Sequence, residues 1–526
     1  MENTLNMPAL YIGVIIYFAC MIMVGFLVRK KASSAEGYLV AGRQFTLLFN
    51  SAALTACFLG GSIILSLPGL AYGMGIWNDE NMWGASTALG GIFCLLLAGL
   101  FYMPKLWKLK LLSLGDYFYL RYGKATGFTV SLVTILTFIF WVAVQILVFA
   151  KVCNAFLGWD QMMAAWIGIA VIAIYTTLGG LWAVMATDMV QVALVALGIF
   201  VMTPIALGLA GGFESVINTV PPEQMHVFPQ VDIVDSPRVW VAWFASWCLI
   251  GIGSIVSPDL MQRAFAAKTA SIARNSALVG MCIKIILSLL MILLAYTGWT
   301  LIHNGVIEEA ALHGDVEQIV PVMVKTLLPT PLVILFVGAC LSAVMGAASS
   351  ALLAMSGMIS KNVLKDVIRP STTDRELVVA SRVCVVAFSI FAVYLALSLE
   401  MVYLLLALGF DLIMASLFAA MTLGLYWRKA NEYGAIAGII AGIGTRVIGA
   451  GIENGFTLKA IAYAGDWYVW TLAAPITAFV VMIVVSLATQ KMKPSNEYGF
   501  HYDADGDPIY KDGRKVNAIE DAAKAA

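Results

Sequence analysis

The chain reads as an all-α polytopic membrane protein of thirteen transmembrane helices, built as an inverted five-plus-five repeat with discontinuous helices. Three observations predict this. Of 526 residues, 61% are hydrophobic and only 12% charged, with a mean hydropathy of +0.90, whereas a soluble domain carries about 25% charged residues. Apolar runs of about 20 residues, the length a bilayer requires, recur from one end of the chain to the other. Two of those runs are interrupted in matching places, one at Gly60-Gly61 followed by Pro68-Gly69, the other at Gly251, Gly253, Ser254, Ser257 and Pro258. Backbone freed from helical bonding inside lipid costs several kcal/mol per group unless something satisfies it, so a chain that breaks two spans is expected to hold a solute and an ion there.

The spans are expected at 8–28, 47–76, 84–103, 126–156, 162–181, 187–211, 238–258, 273–302, 322–360, 377–398, 401–427, 433–452 and 468–489. The first apolar run, 10–28, is followed rather than preceded by its bases, Arg29, Lys30 and Lys31, so it reads as a retained span and not as a cleavable signal. Most odd-numbered spans lead into basic loops: Lys105, Lys108, Lys110, Arg121 and Lys124; Arg263, Lys268 and Arg274; Lys361, Lys365, Arg369 and Arg375; Arg428 and Lys429; Lys491 and Lys493. The opposite loops carry Asp79, Glu80, Glu214, Glu223, Asp232, Asp235, Glu308, Glu309, Asp315 and Glu317. This asymmetry places the N-terminus outside and the C-terminus in the cytoplasm of a plasma (inner) membrane, as an odd span count requires. Residues 1–489 then form one transmembrane domain, with repeat one at about 47–211 and repeat two at about 238–427, and 490–526 form a polar tail. Within that tail Asp503, Asp505 and Asp507 resemble the start of a calcium loop. Pro508 stands where the loop needs glycine and Arg514 where it needs glutamate, so a solvated tail is expected.

The broken segments are the second and seventh spans. An offset of five makes them cross in opposite directions, as the two halves of an inverted repeat do. The amides freed at Gly60-Gly61 and Gly253-Ser254, with Ser62, Ser254, Ser257 and Gln145, suit a small polar or zwitterionic solute. No lysine or arginine is expected beside either break. Two acids lie at membrane depth, Asp188 and, next to Phe410, Asp411, and either one marks a pathway or caps a helix. Lys151 and Arg446 are expected to snorkel from helix ends.

Several classes are excluded. A net charge of +0 implies no nucleic-acid partner. The four histidines fall in polar connections or the tail, which excludes haem ligation and an intramembrane histidine relay. The eight cysteines fall in apolar stretches without a CxxC and read as small buried hydrophobes. No serine has a base beside it and the two acids share no motif, so an integral-membrane enzyme is disfavoured. The tail is too short for a signalling module. A channel, which discontinuous helices can also line, is the other different-class alternative. No cofactor and no obligate protein partner is evident.

The chain resembles the sodium:solute symporter family along most of its length. The matching stretches are Gly37-Tyr38-Leu39-Val40-Ala41-Gly42-Arg43, the Gly60-Gly61 break, Leu178-Gly179-Gly180-Leu181 with Thr187-Asp188-Met189-Val190-Gln191, Gln262-Arg263 with Ala266-Ala267-Lys268, and Leu341-Ser342-Ala343-Val344-Met345. The resemblance implies the LeuT-like fold with one leading and two trailing helices, and secondary active transport of a small organic solute (an amino acid, a carboxylate or another small polar or zwitterionic molecule) by alternating access. In wording the chain is most similar to the high-affinity choline transporter branch. Of that branch's tryptophan positions, only Trp141 is matched, the others falling on Phe58, Ser257 and Leu406. A quaternary ammonium needs aromatic faces, so choline is not expected. Trp141 and Gln145, one turn apart, are expected to face the pocket.

The resemblance also implies a sodium site built from carbonyls of Ala56 and Leu59 with Ala343, Gly346 and Ala347 of the ninth span. Here the two hydroxyl positions are glycine and alanine. Sodium prefers five or six oxygens, so a displaced site recruiting Asp188, Ser349 and Ser350 is one expectation. Coupling to protons through Asp188 or Asp411, or an uncoupled facilitator, are the alternatives.

Overall fold

The computed structural model describes residues 6–399, 402–454, 467–493, 500–502 and 507–509. Ten helices among them are long and apolar enough to cross a membrane, the first being Met7–Ala32. The second expected span divides as foreseen. Helix Leu47–Ala56 stops at a Cys57 cap, the chain turns and bends through Phe58 to Gly60, and it re-enters through wide turns at Ser62–Ser66 into Leu67–Gly73. The seventh divides likewise. Helix Pro237–Gly253 tightens into Ser254–Val256, Ser257 is extended, and Pro258 opens the helix Pro258–Ala266. Proline suits that first helical position because its missing N–H would be unpaired there anyway.

Three boundaries differ from expectation. The fifth and sixth expected spans lie in one continuous element, Gln161–Leu209, broken only at Gly180 with φ 52° and ψ −143°. No loop separates them, which explains why no bases were found there. Only glycine fits that break, since a Cβ at Gly180 would stand 2.6 Å from the Tyr38 carbonyl oxygen. The ninth expected span begins later than 322, because Pro329 separates the short helix Ile319–Leu327 from Thr330–Met358. At its other end it continues in wide turns to Ile368, so Lys361 and Lys365 extend a helix rather than a loop.

Ion-pair clusters hold both ends of the bundle. On the expected cytoplasmic side, Ser113 and Asp116 form a reciprocal cap on helix Leu114–Tyr122. Asp116 also accepts from Asn362 Nδ2 at 2.7 Å and pairs with Lys361 Nζ at 3.3 Å. On the other side Lys151 does not simply snorkel: its Nζ pairs with Glu317 at 2.9 Å and Asp315 at 3.4 Å. Glu317 in turn accepts from Ser66 just beyond the first break.

The cysteine expectation holds for Cys57, Cys94, Cys153, Cys248 and Cys340, whereas Cys20 and Cys282 are exposed on outward helix faces and Cys384 is half-buried. His303 ends helix Ala270–His303 instead of lying in a loop, stacked on Trp299. Part of the tail folds back: His501–Tyr502 pairs with Pro508–Ile509, Phe500 packs against Tyr117, and Asp507 pairs with Lys108 at 2.8 Å. Asp503, Asp505 and Arg514 lie outside the described residues.

Candidate functional site

The two breaks face each other across the fourth and eleventh expected spans. Gln145 Oε1 accepts from the Gly61 amide at 3.0 Å, so the freed donor is met by a side chain from helix Lys124–Leu157. A Cβ at Gly60 would stand 2.5 Å from that same oxygen and 3.1 Å from Ala347 Cβ, so the ninth span packs directly on the first break. One turn from Gln145, Trp141 meets Phe410 edge-on with centroids 5.1 Å apart. The Phe410 carbonyl lies 2.7 Å from where a Gly253 Cβ would be, which brings the second break against helix Val402–Tyr426.

These contacts join Gly60, Gly61, Gln145, Trp141 and Phe410 into one wall that reaches the second break. Several polar atoms on it lack partners among the described residues: Gln145 Nε2, Trp141 Nε1 and Ser254 Oγ. Ser257 Oγ instead donates to the Ser254 carbonyl at 2.7 Å. The side chains of Ser62 and Leu406 lie outside the described residues.

Asp411 turns away from this wall. Its Oδ2 accepts from Arg446 Nε and from Thr471 Oγ1, the latter at 3.1 Å. Arg446 is therefore not a snorkelling residue but a buried partner, 2% exposed. Its span is long enough to bury position 446 at the level of Asp411, and an unpaired charge there would be costly.

The cation region converges on Asp188, eight residues beyond the Gly180 break and fully buried, not at a helix cap. Its Oδ2 accepts from Arg263 Nη2 at 2.7 Å. The same Nη2 donates to Ser350 Oγ, and Nη1 donates to the Asp259 carbonyl at 3.1 Å. Arg263 had been assigned to a cytoplasmic basic loop. Every residue of Pro258–Ala266 is in fact buried, so the guanidinium lies inside the protein, on the helix that follows the second break.

Ser349 and Ser350 both donate to the Gly346 carbonyl, at 3.0 and 2.6 Å. On the other side of Asp188, Oδ1 has no hydrogen-bond partner among the described residues, and the Tyr17 hydroxyl lies beside Ser342 and Gln191, where it can donate to either. A Cβ at Gly346 would stand 2.5 Å from Gln191 Oε1 and 3.1 Å from Asp188 Oδ1. Glycine is thus required there for the two oxygens to approach the ninth span. Ala56 and Leu59 flank the non-helical turn, with the Leu59 amide donating to the Ala56 carbonyl at 3.2 Å. Ala343, one turn before Ala347, is buried.

Sequence reasoning missed Gln191 Oε1, the inward Arg263, the buried Asp259 and Lys284. The last was visible as a lone lysine in the middle of an apolar span, and such a residue is a functional candidate by default.

Discontinuous helices set head to head, with buried polar groups between them, define a membrane transporter with a midplane site. The family model for the sodium:solute symporter family matches residues 38–442, and the chain belongs to that family of secondary active transporters. The human high affinity choline transporter 1 is 26% identical over 449 residues, covering 83% of this chain and 76% of the relative. The high-affinity proline transporter PutP of Bacillus subtilis (strain 168) is 25% identical over 444 residues, covering 82% and 90%. Among solved structures, a Na+-coupled sialic acid symporter in a substrate-bound outward-open state superimposes with a TM-score of 0.77 at 18% identity, covering 91% of this chain and 98% of the other. That likeness fixes the fold.

Proposed function

We propose that this protein carries a small organic solute across the plasma membrane, coupled to sodium, with the solute held between the two breaks. In this reading residues 1–489 cross thirteen times as an inverted repeat, 490–526 form a cytoplasmic tail, and the N-terminus faces outward. The solute-facing residues are Phe58, Gly60, Gly61, Ser62, Trp141, Gln145, Ser254, Ser257 and Phe410; Asp411, paired outward, acts as an anchor behind them.

One observation carries the coupling reading: Asp188 Oδ1 is buried without a partner among the described residues and converges with Gln191 Oε1 on Gly346, with the Ser342 and Tyr17 hydroxyls beside Gln191. Converging oxygens that include a carboxylate oxygen left without a donor favour a hard cation. The ion then sits on the Gly346 side of Asp188, displaced from the carbonyls of Ala56 and Leu59, while Ser350 serves the Arg263 side and Ser349 donates to the Gly346 carbonyl.

A second reading follows from Arg263. Its guanidinium already occupies the space between Asp188 and Ser350, so the protein's own cation replaces the ion and the transporter works as an uncoupled facilitator.

Uptake into proteoliposomes under an imposed sodium or proton gradient decides between them. Sodium-stimulated uptake that Gly346→Ala abolishes supports the first reading, because the added methyl displaces Gln191 Oε1. Uptake indifferent to sodium at every pH tested refutes it; if a proton gradient also leaves uptake unchanged, the facilitator stands, and if it drives uptake, coupling is to protons.

A further inference from the structure

Lys284 lies at the centre of helix Ala270–His303 and is 1% exposed. Among the described residues it makes no ion pair. Its Nζ donates to the Ala88 carbonyl at 3.3 Å and lies 5.5 Å from the centroid of the Phe58 ring. Phe58 belongs to the first break, so the buried Lys284 amine stands beside the unwound segment.

The place is built for it. A Cβ at Gly91 would stand 2.8 Å from Lys284 Cε and 2.6 Å from Phe58 Cδ1, so only glycine lets the third expected span close over both side chains. One turn along the same face of the helix, Ser288 Oγ is buried without a partner.

An ammonium has three donors, and one carbonyl at 3.3 Å with one ring face does not neutralise it. Buried charges are tolerated when they are paired, and no acidic side chain among the described residues pairs with Lys284. We propose that Lys284 anchors an anionic group, carboxylate or sulfonate, of the transported solute. The protein then selects small organic anions and zwitterions and rejects permanent cations.

The same geometry explains the rejection. Phe58 is the aromatic face that a quaternary ammonium would use, and the lysine is already next to it. The inference rests on the transporter reading above and adds the charge class of the solute.

The test uses the full chain in detergent for calorimetry and thermal shift, and in liposomes for flux. The probes are acetate, L-lactate, taurine, L-proline and choline, with taurine separating sulfonate from carboxylate preference. Wild type should bind at least one anion-bearing probe and not choline. Lys284→Gln should weaken that binding by about 10- to 100-fold, as expected for loss of a charge-assisted hydrogen bond, and Lys284→Arg should retain most of it.

Should Lys284→Gln fail to fold, Gly91→Ala keeps the lysine, crowds its Cε, and should weaken anion binding in the same direction. The proposal is overturned if choline binds as tightly as the anions, if Lys284→Gln (or, where that does not fold, Gly91→Ala) binds anions unchanged, or if no anion probe binds wild type. Saturable flux of a cationic probe would leave the transporter standing without the anchor. Lys284-dependent anion binding with no flux of any probe would do the reverse.

Discussion

Removing the Arg446 charge while leaving Asp411 in place should destabilise the protein strongly. Both side chains are almost fully buried, at 2% and 3% exposure. Asp411 Oδ2 takes Arg446 Nε and Thr471 Oγ1, so one carboxylate joins Val402–Tyr426, Glu432–Asn454 and Trp467–Ala488. In Arg446→Met the carboxylate keeps a single hydroxyl donor. Breaking a buried pair from one side costs about 3–5 kcal/mol, whereas replacing both partners is near neutral. Arg446→Met should therefore lower the melting temperature by on the order of 5 °C for a chain of this size, and Asp411→Asn with Arg446→Met should recover to within about 1 kcal/mol of wild type. Thermal unfolding followed by fluorescence-detected size exclusion, run as a double-mutant cycle, reads both numbers. The reasoning fails if Arg446→Met is indistinguishable from wild type, or if the double variant is as unstable as the single one. The cycle also bears on proton coupling, because Asp411→Asn should retain coupled uptake if this carboxylate is only an anchor.

Two further outcomes follow from local geometry. Gly180→Ala forces a side chain into φ 52° with its Cβ 2.6 Å from the Tyr38 carbonyl, and should cost about 1–3 kcal/mol, seen as a lower melting temperature and poor yield; unchanged stability would mean the break is not required. Lys110, outside the spans, has its ammonium pushed down to about 8 by burial and by the Arg43 charge, with Glu36 opposing. Since the unfolded chain keeps that proton up to about 10.4, stability should rise with pH between about 8 and 10.4. Lys110→Met should be more stable below pH 8 and lose that rise, and a wild-type melting curve flat across the interval would refute the assignment.

Much of the architecture was legible because lipid imposes long apolar runs and makes interruptions conspicuous. Both breaks were placed from glycine, serine and proline alone, and Gln145, one turn from Trp141, meets the first break at the Gly61 amide. The pairing of charges was not legible. Arg263 follows a proline and precedes a basic loop, so linear sequence assigns it to water, and only the burial of Pro258–Ala266 reverses that. Arg446 and Asp411 are 35 residues apart, and nothing local signals that they meet. Gly346 reads as a lost hydroxyl ligand when only its own position is considered. Its role depends on Gln191, which reaches it from another helix.

The arginine at Asp188 has a kinetic consequence. Any ion that binds this carboxylate shares it with a positive charge that never leaves the protein, since Arg263 is tethered to Ser350 and to the Asp259 carbonyl. A resident competitor of like sign weakens ion affinity without altering the ligand geometry. If the proposed ion binds there, its hold is weakened by the short helix that carries the guanidinium. Because that helix also continues the second break, movement of the break would change the competitor's distance and with it the dwell time of the ion.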